Sequence, residues 1–410
     1  FLPEVVNRLN APSIWTVVHC RYGTNGGYDK DNLQPCVATD SSGSQIAVAH
    51  NGEFVATEKM RKLVANNLPK DISDTNLFTQ ILSRTKGISW EEKILKTLSK
   101  VEGAYSLVVG TNDSLFLARD RYGIRPLILG QIRGMWIVVS ETQALNRIGA
   151  KVIREVQAGE IIKINKKGLK TIQSGKSQYH FCDFEWAYFA RPDSLLSSHE
   201  KKEDDKIPKL WFSASSFREK CGTLLAEESP VRNASFCCGV PDSGIYLATG
   251  YANALRIPYR QVIIRDHYDP NGSQRLFMRD DQKNKIGSKV LGKLSIITDK
   301  QIWKDAVVVI GDDSIVRGNV SKAITKTIFS LGAKEVHWII GFPQVRYRCH
   351  LGVSMRTEEE LVANRHQGNP AKIAQEIGAT SIHYISPAGF IKNRLLSGKL
   401  KITKDQKEIF

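Results

Sequence analysis

Residues 306–322, AVVVIGDDSIVRGNVSK, constrain the fold more than any other stretch of the chain. Val307 to Ile310 are all β-branched and show no polar alternation, so a strand here must be covered on both faces. Such runs belong to parallel sheets sandwiched by helices. The run ends in adjacent acids, Asp312 and Asp313, and a carboxylate at the mouth of a buried strand costs free energy unless something answers it. Ligands of open parallel sheets lie beyond the carboxyl ends of the strands. After Gly318 the pattern turns helical: Ala323, Ile324, Ile328 and Leu331 share one stripe and Gly332 stops it. Ser314, Arg317, Gly318 and Asn319 thus lead into a helix N-terminus, where free amides and the helix dipole suit a phosphate and Arg317 supports it. Two carboxylates beside a phosphate need another task, which sugar hydroxyls or a hard cation such as Mg2+ would supply. Diol and phosphate together describe a ribose 5-phosphate. The G-x-x-x-x-G-K-[ST] pattern of a Walker-type loop is missing.

A second stretch repeats the logic. CCGVPDSG, residues 237–244, is an apolar strand that breaks at Pro241 into Asp242, Ser243 and Gly244 before a helix. Two anion-ready strand ends in one sheet fit a ligand with two phosphate groups, and phosphoribosyl pyrophosphate has that form.

The chain has two styles. Residues 14–180 alternate strand-like runs with turns, interrupted by helical patterns at 57–67 and 76–83; this is an α+β domain. Residues 199–209, HEKKEDDKIPK, read as a solvated linker. From residue 217 helix and strand alternate, as in a doubly wound α/β domain. At 410 residues there is length for both cores. The balance of 58 basic to 42 acidic residues, +16 in all, suits anionic ligands. The basic residues are scattered without interleaved aromatics, so nucleic acid is not expected. No run approaches membrane-span length and no secretory signal opens the chain. Seven cysteines at irregular spacing indicate a reducing compartment, the cytoplasm.

Several long motifs in one order carry a resemblance: DDSIVRGN, VPDSG, YFARPDS (188–194), ARDRYGIRPL (118–127), GAKEVH (332–337) and AHNGE (49–53). The chain resembles the glutamine phosphoribosylpyrophosphate amidotransferases (amidophosphoribosyltransferases) of purine biosynthesis. The resemblance implies an N-terminal-nucleophile hydrolase domain of αββα architecture, incomplete at its N-terminus (1–185), a connecting segment (186–216), a type I phosphoribosyltransferase domain (217–395) and a C-terminal tail (396–410). It also implies that ammonia released from glutamine attacks the ribose anomeric carbon and displaces pyrophosphate, giving 5-phosphoribosylamine. Homo-oligomers and inhibition by purine nucleotides are further expectations of this kind.

Site residues follow from the same resemblance. Arg21 and Asp74 match the groups that hold the glutamine carboxylate and amino group. Asn51 and Gly52 match the oxyanion-hole donors. The family's first residue is a cysteine whose own amine is the base; this sequence begins Phe1-Leu2-Pro3, so the chain as written is expected to lack glutaminase activity. Cys20 and Cys36 are expected to be small buried residues. Phosphoribosyl pyrophosphate is assigned to Asp242, Ser243, Gly244, Asp312, Asp313, Ser314, Arg317, Gly318 and Asn319, with Mg2+ at Asp312 and Asp313. A flap is matched by Arg265, Tyr268, Arg275 and Phe277, and Lys293 matches a phosphate-binding lysine. The flap departs from the family pattern at Asp266, where an acid facing pyrophosphate would repel it, and at residues 270–273, which read as an insertion. Cys182 and Cys349 match two of the four ligands of the iron-sulfur cluster that some members carry. The tail lacks the C-x-x-C that would supply the others, so no cluster is expected. The different-class alternative is a catalytically silent sensor of nucleotides or phosphoribosyl pyrophosphate.

Overall fold

The computed structural model describes residues 15–20, 32–64, 68–69, 71–175, 179–197, 211–265, 294–349, 351 and 357–394. The chain divides into two units, the first made of Phe1–Ser140, Ile148–Phe181 and His350–Val353, the second of Glu141–Arg147, Cys182–Cys349 and Ser354–Phe410.

The first unit contains strands β1 (Cys36–Thr39), β2 (Gln45–Val55), β3 (Glu102–Gly110), β4 (Ser114–Arg119), β5 (Ile128–Ile132), β6 (Met135–Val139), β7 (Lys151–Glu155), β8 (Ile161–Asn165) and β9 (Gly168–Gln173). They form an antiparallel sheet of order β1-β2-β3-β4-β8-β9 and a smaller one of order β6-β5-β7. Helices α1 (Thr57–Arg61), α2 (Asp74–Arg84) and α3 (Trp90–Leu98) complete the unit. Ser73 and Ser89 cap α2 and α3 by accepting from Asn76 N and Glu92 N, which fixes where each helix begins. Leu77, Phe78, Ile81 and Leu82 of α2 and Ile94 of α3 pack with Val48, Leu107 and Phe116 of the large sheet. Leu117 and Ile162 point to its opposite face, where they meet Leu127, Leu129 and Val156. The described residues therefore stack helix, sheet and sheet, and the strand alternation sends each apolar set to its own layer.

Two helical expectations need correction. The pattern at 57–67 is helical only over Thr57–Arg61, because Met60 is the helix's one buried residue and a single anchor cannot hold further turns; residues 65–67 lie outside the described residues. Helix α3 went unanticipated: WEEKILKTL is mostly polar and buries only Ile94 and Thr97.

The second unit receives α4 (Thr142–Arg147) and then runs β10 (Leu195–Ser197), β11 (Trp211–Ser213), α5 (Ala214–Glu228), β12 (Phe236–Gly239), α6 (Ser243–Leu255), β13 (Ile263–Arg265), β14 (Leu294–Ile296), α7 (Lys300–Trp303), β15 (Val307–Asp312), α8 (Asn319–Ser330), β16 (Glu335–Ile340), α9 (Val362–Arg365), α10 (Pro370–Ile377), β17 (Ser381–Tyr384) and α11 (Pro387–Arg394). Its central sheet is parallel, in the order β12-β15-β16-β17. Val308, Ile310, Trp338 and Ile340 face Trp303, Ile324, Ile328 and Ile373 on one side. Helix α6 covers the other, with Ala248 against Gly311. Every residue of β15 is buried, as the unbroken apolar run demands. RQVIIR, residues 260–265, contributes β13 to a separate antiparallel ribbon with β14 rather than to the parallel sheet.

Candidate functional site

Strands β12 and β15 are neighbours in register, Gly239 opposite Gly311, so their carboxyl ends open side by side. Three glycines make that junction close-fitting. A Cβ on Gly244 would lie 2.2 Å from the Gly311 carbonyl oxygen, and one on Gly239 would lie 2.5 Å from the Gly244 carbonyl oxygen. On Gly311 it would meet Ala248 Cβ at 3.0 Å. The Val240 amide donates to Gly311 O at 2.9 Å, and the Gly244 amide to Val240 O at 3.0 Å. The structure thus brings together the two loops that the sequence identified separately.

Asp312 and Asp313 are 9% and 8% exposed. Asp312 Oδ1 accepts from the Asp313 amide at 2.9 Å. Asp313 accepts from Ser314 Oγ at 2.7 Å through Oδ1 and from Ser243 Oγ through Oδ2. Burial, and then the neighbouring Asp313 carboxylate, push Asp312 well above the ordinary carboxylate range. Burial also raises Asp313, with the two serine hydroxyls and the Arg218 charge acting against it. Two like charges in one dry site cannot both ionise cheaply.

Arg218 was missed by the sequence reading. It is 4% exposed, donates to Trp186 O at 3.0 Å and Ala190 O at 2.8 Å, and interacts electrostatically with Asp313. A signal existed: Ala214, Arg218, Cys221 and Leu225 share the buried stripe of α5, so Arg218 is a cation at a core position.

At the loop expected from sequence to hold the other phosphate, Gly318 caps α8 with φ +83°, and no side chain occupies the cap. The first-turn amides, beginning with Asn319, are free of a side-chain acceptor, as an anion site requires. Arg317, expected to support phosphate, is paired with Glu360, Nε at 3.1 Å and Nη2 at 2.5 Å. Asp242 forms an ion pair at 2.6 Å with Arg265, the last residue of β13. Arg265 is thereby placed beside the Asp242 loop. Asp266, Tyr268, residues 270–273, Arg275, Phe277 and Lys293 lie outside the described residues.

In the first unit Asn51 and Gly52 lie in β2, opposite Ser106 and Tyr105 of β3. Gly52 has φ +143°, and a Cβ there would come 2.0 Å from the Ala104 carbonyl oxygen, so only glycine fits. Asp74 opens α2 and accepts from the Phe54 amide at 2.9 Å, which ties the acid to the strand carrying Asn51 and Gly52. His50 lies 3.8 Å from the Asp74 carboxylate; burial holds its pKa below the ordinary histidine value. Arg21 lies outside the described residues.

The cysteines divide. Cys36, Cys237 and Cys238 are buried as expected. Cys20 is exposed, contrary to expectation: burial alternates along residues 15–20 and Cys20 falls on the outward parity. Cys182 and Cys349 are half-buried. Among the described residues no group of three or more His, Cys, Asp or Glu is arranged to hold a metal ion, and no helix is long and apolar enough to cross a membrane.

Comparison with known proteins covers both units. Residues 27–147 match the glutamine amidotransferase domain family. The chain is 33% identical over 377 residues to the amidophosphoribosyltransferase of Bacillus subtilis, spanning 91% of this chain and 74% of that protein. It is 33% identical over 417 residues to the human amidophosphoribosyltransferase, spanning 95% and 76%. Among solved structures, the B. subtilis glutamine phosphoribosylpyrophosphate amidotransferase in complex with ADP and GMP superposes with a TM-score of 0.76 at 32% identity, over 92% of this chain and 77% of that one. A structure described as the allosteric regulatory enzyme of purine biosynthesis superposes with a TM-score of 0.77 at 32% identity, over 95% and 78%.

Proposed function

The chain belongs to the amidophosphoribosyltransferase family, and we propose that its second unit binds phosphoribosyl pyrophosphate across the adjoining ends of β12 and β15 and transfers the phosphoribosyl group to ammonia. The paired folds, an N-terminal-nucleophile amidotransferase unit and a type I phosphoribosyltransferase unit, are those of the family. The observation that carries the reading is the buried Asp312–Asp313 pair, whose charges the protein answers only in part.

In this reading the amides of the α8 first turn hold the 5-phosphate, and the loop from Val240 to Gly244 holds the pyrophosphate. Asp312 and Asp313 accept hydrogen bonds from the ribose hydroxyls. Positive charge developing on the ribose as the bond to pyrophosphate breaks is stabilised by these carboxylates, and the Ser243 and Ser314 hydroxyls and Arg218 help to keep Asp313 ionised. Ammonia's lone pair forms the new bond to the anomeric carbon, a proton is lost from nitrogen, and pyrophosphate leaves with the bonding pair. The two acids also fit Mg2+: they offer oxygen ligands in a place where negative charge is costly, with substrate phosphates and water to complete the shell. Bound there, the ion would neutralise charge on the pyrophosphate leaving group. In the first unit Asn51, Gly52 and Asp74 form the glutamine end, with Arg21 proposed as the carboxylate partner.

Titration calorimetry with phosphoribosyl pyrophosphate and Mg2+ tests the assignment. An Asp312→Asn, Asp313→Asn double variant is expected to bind at least about 100-fold more weakly, a difference of roughly 2.7 kcal/mol. Equal affinity in the two proteins would remove the aspartates from the site.

A further inference from the structure

We infer that the outer edge of β17 is a docking site for an extended, acidic segment of a partner protein, taken up as an added strand. Among the described residues β17 is hydrogen-bonded on one side only, to β16, and so ends the sheet with an unpaired row of backbone groups. Such an edge is a template for another strand unless the fold covers it. Among the described residues nothing covers it along a groove of 820 Å³ that follows the chain from Ser381 to Ser386. The facing wall is Pro370, Ala371 and Ala374 of α10, small residues that leave room for a backbone.

The strand is ready to accept a partner without rearranging. Ile382 and Ile385 anchor it at 3% and 1% exposure. Ser381 Oγ sits 2.8 Å from both His337 Nδ1 and His383 Nε2, and His337 Nε2 lies 3.0 Å from Glu335 Oε2, which locks the side chains on one face. Two polar groups on the groove remain unmet: the Tyr384 hydroxyl is buried with no hydrogen-bond partner, and the exposed Arg346 at the groove has no ion pair among the described residues. Nearby acids are already engaged, Glu376 by Arg365 and His366, and Glu228 by Ser386. Strand addition gives affinity through main-chain bonds, and the uncompensated arginine selects for acidic side chains. Charge argues against the other occupants. The chain's own residues 395–410 carry Lys399, Lys401, Lys404 and Lys407 against Asp405 and Glu408, and a second copy would bring a second Arg346 to the same edge.

The test uses the full chain and a fluorescein-tagged seven-residue peptide that alternates glutamate with valine. Anisotropy should show saturable binding, weakened about ten-fold or more by N-methylation of alternate peptide amides, by lysine in place of glutamate, or by Arg346→Glu in the protein. Unchanged thermal melting of the Arg346→Glu protein would show that its fold is intact. Absence of binding, or equal binding of the N-methylated or lysine peptide, overturns the inference. So does stronger competition by a peptide of residues 395–410, which would give the edge to the chain's own tail. Sedimentation showing self-association that the glutamate peptide reverses would give it to a second copy, and overturns it likewise.

Discussion

Arg119 in the first unit and the Asp312–Asp313 pair in the second are both charges placed in a protein interior, and they are handled in opposite ways. The Arg119 guanidinium, 1% exposed, meets Glu155 Oε1 at 3.0 Å and donates to Arg125 O at 2.7 Å, Val156 O at 2.6 Å and Gly123 O at 2.8 Å. Its charge and its donors are consumed by the fold. The aspartates have serine hydroxyls, one backbone amide and the field of Arg218, and burial still raises both of them. A buried charge that its own chain satisfies is architecture; one left short is a place for something to bind.

The widest separation between the two should come from Arg119→Met. Removing the guanidinium takes the cation from Glu155 and strands three carbonyls, so unfolding in urea should show a loss of about 3–5 kcal/mol. A loss below about 1 kcal/mol would mean that Arg119 is no more structural than a surface residue. Next is Gly244→Ala, whose Cβ would press on Gly311 O. About 1–3 kcal/mol of stability should be lost, together with affinity for phosphoribosyl pyrophosphate; normal affinity would separate the loop junction from the ligand site. The Asp312→Asn, Asp313→Asn protein should move the other way, melting higher than the natural chain in chelator by the equivalent of about 1–2 kcal/mol while losing its ligand. A lower melting point would show that the acids hold the fold together, as Arg119 does.

The same pair predicts a pH dependence. Both carboxyls bind protons more tightly folded than unfolded, so their contribution to stability is complete below the ordinary carboxylate range and is lost as pH rises through their raised folded values. Unfolding in chelator, followed upward from about pH 4, should show that decline, and the double asparagine variant should lack it. The smallest effect belongs to Arg265→Met. The Arg265–Asp242 pair is about half exposed on both sides, so stability should change by about 0.5 kcal/mol or less; any loss of turnover would then report on the ligand and not on the fold.

The reading of β15 from sequence worked because its signal is local: a run with no polar position leaves one kind of environment available, and the acids and glycines that follow have few other uses. Gly52 and Asp74 were assigned to the glutamine site by motif alone; the structure shows a role in the fold for each, a backbone approach to Ala104 and acceptance of the Phe54 amide, which no spacing rule contains. Arg317 shows the opposite case. Its pairing with Glu360, 43 residues on, depends on how α9 and its preceding turn return to the loop, and pattern reading has no access to that. Helix α3 was missed because its apolar stripe, Trp90, Ile94, Leu95 and Leu98, is short and interleaved with charge, and caps and ion pairs such as Lys96 with Glu92 support it. Cys20 was misjudged because its residue type outweighed the parity of the strand-like segment it ends.

The contact among Gly239, Gly244 and Gly311 has a consequence for how such a site can be altered. Because each of these positions packs against main chain or against Ala248, the Val240–Gly244 loop is fixed against the end of β15, and no rotamer change can widen that junction. In the proposed site, a donor needing a wider gap between that loop and β15 could not be accommodated by exchanging side chains around the rim. Redesign would have to re-cut all three positions together, because a side chain added at any one of them meets a neighbour that cannot move aside without cost.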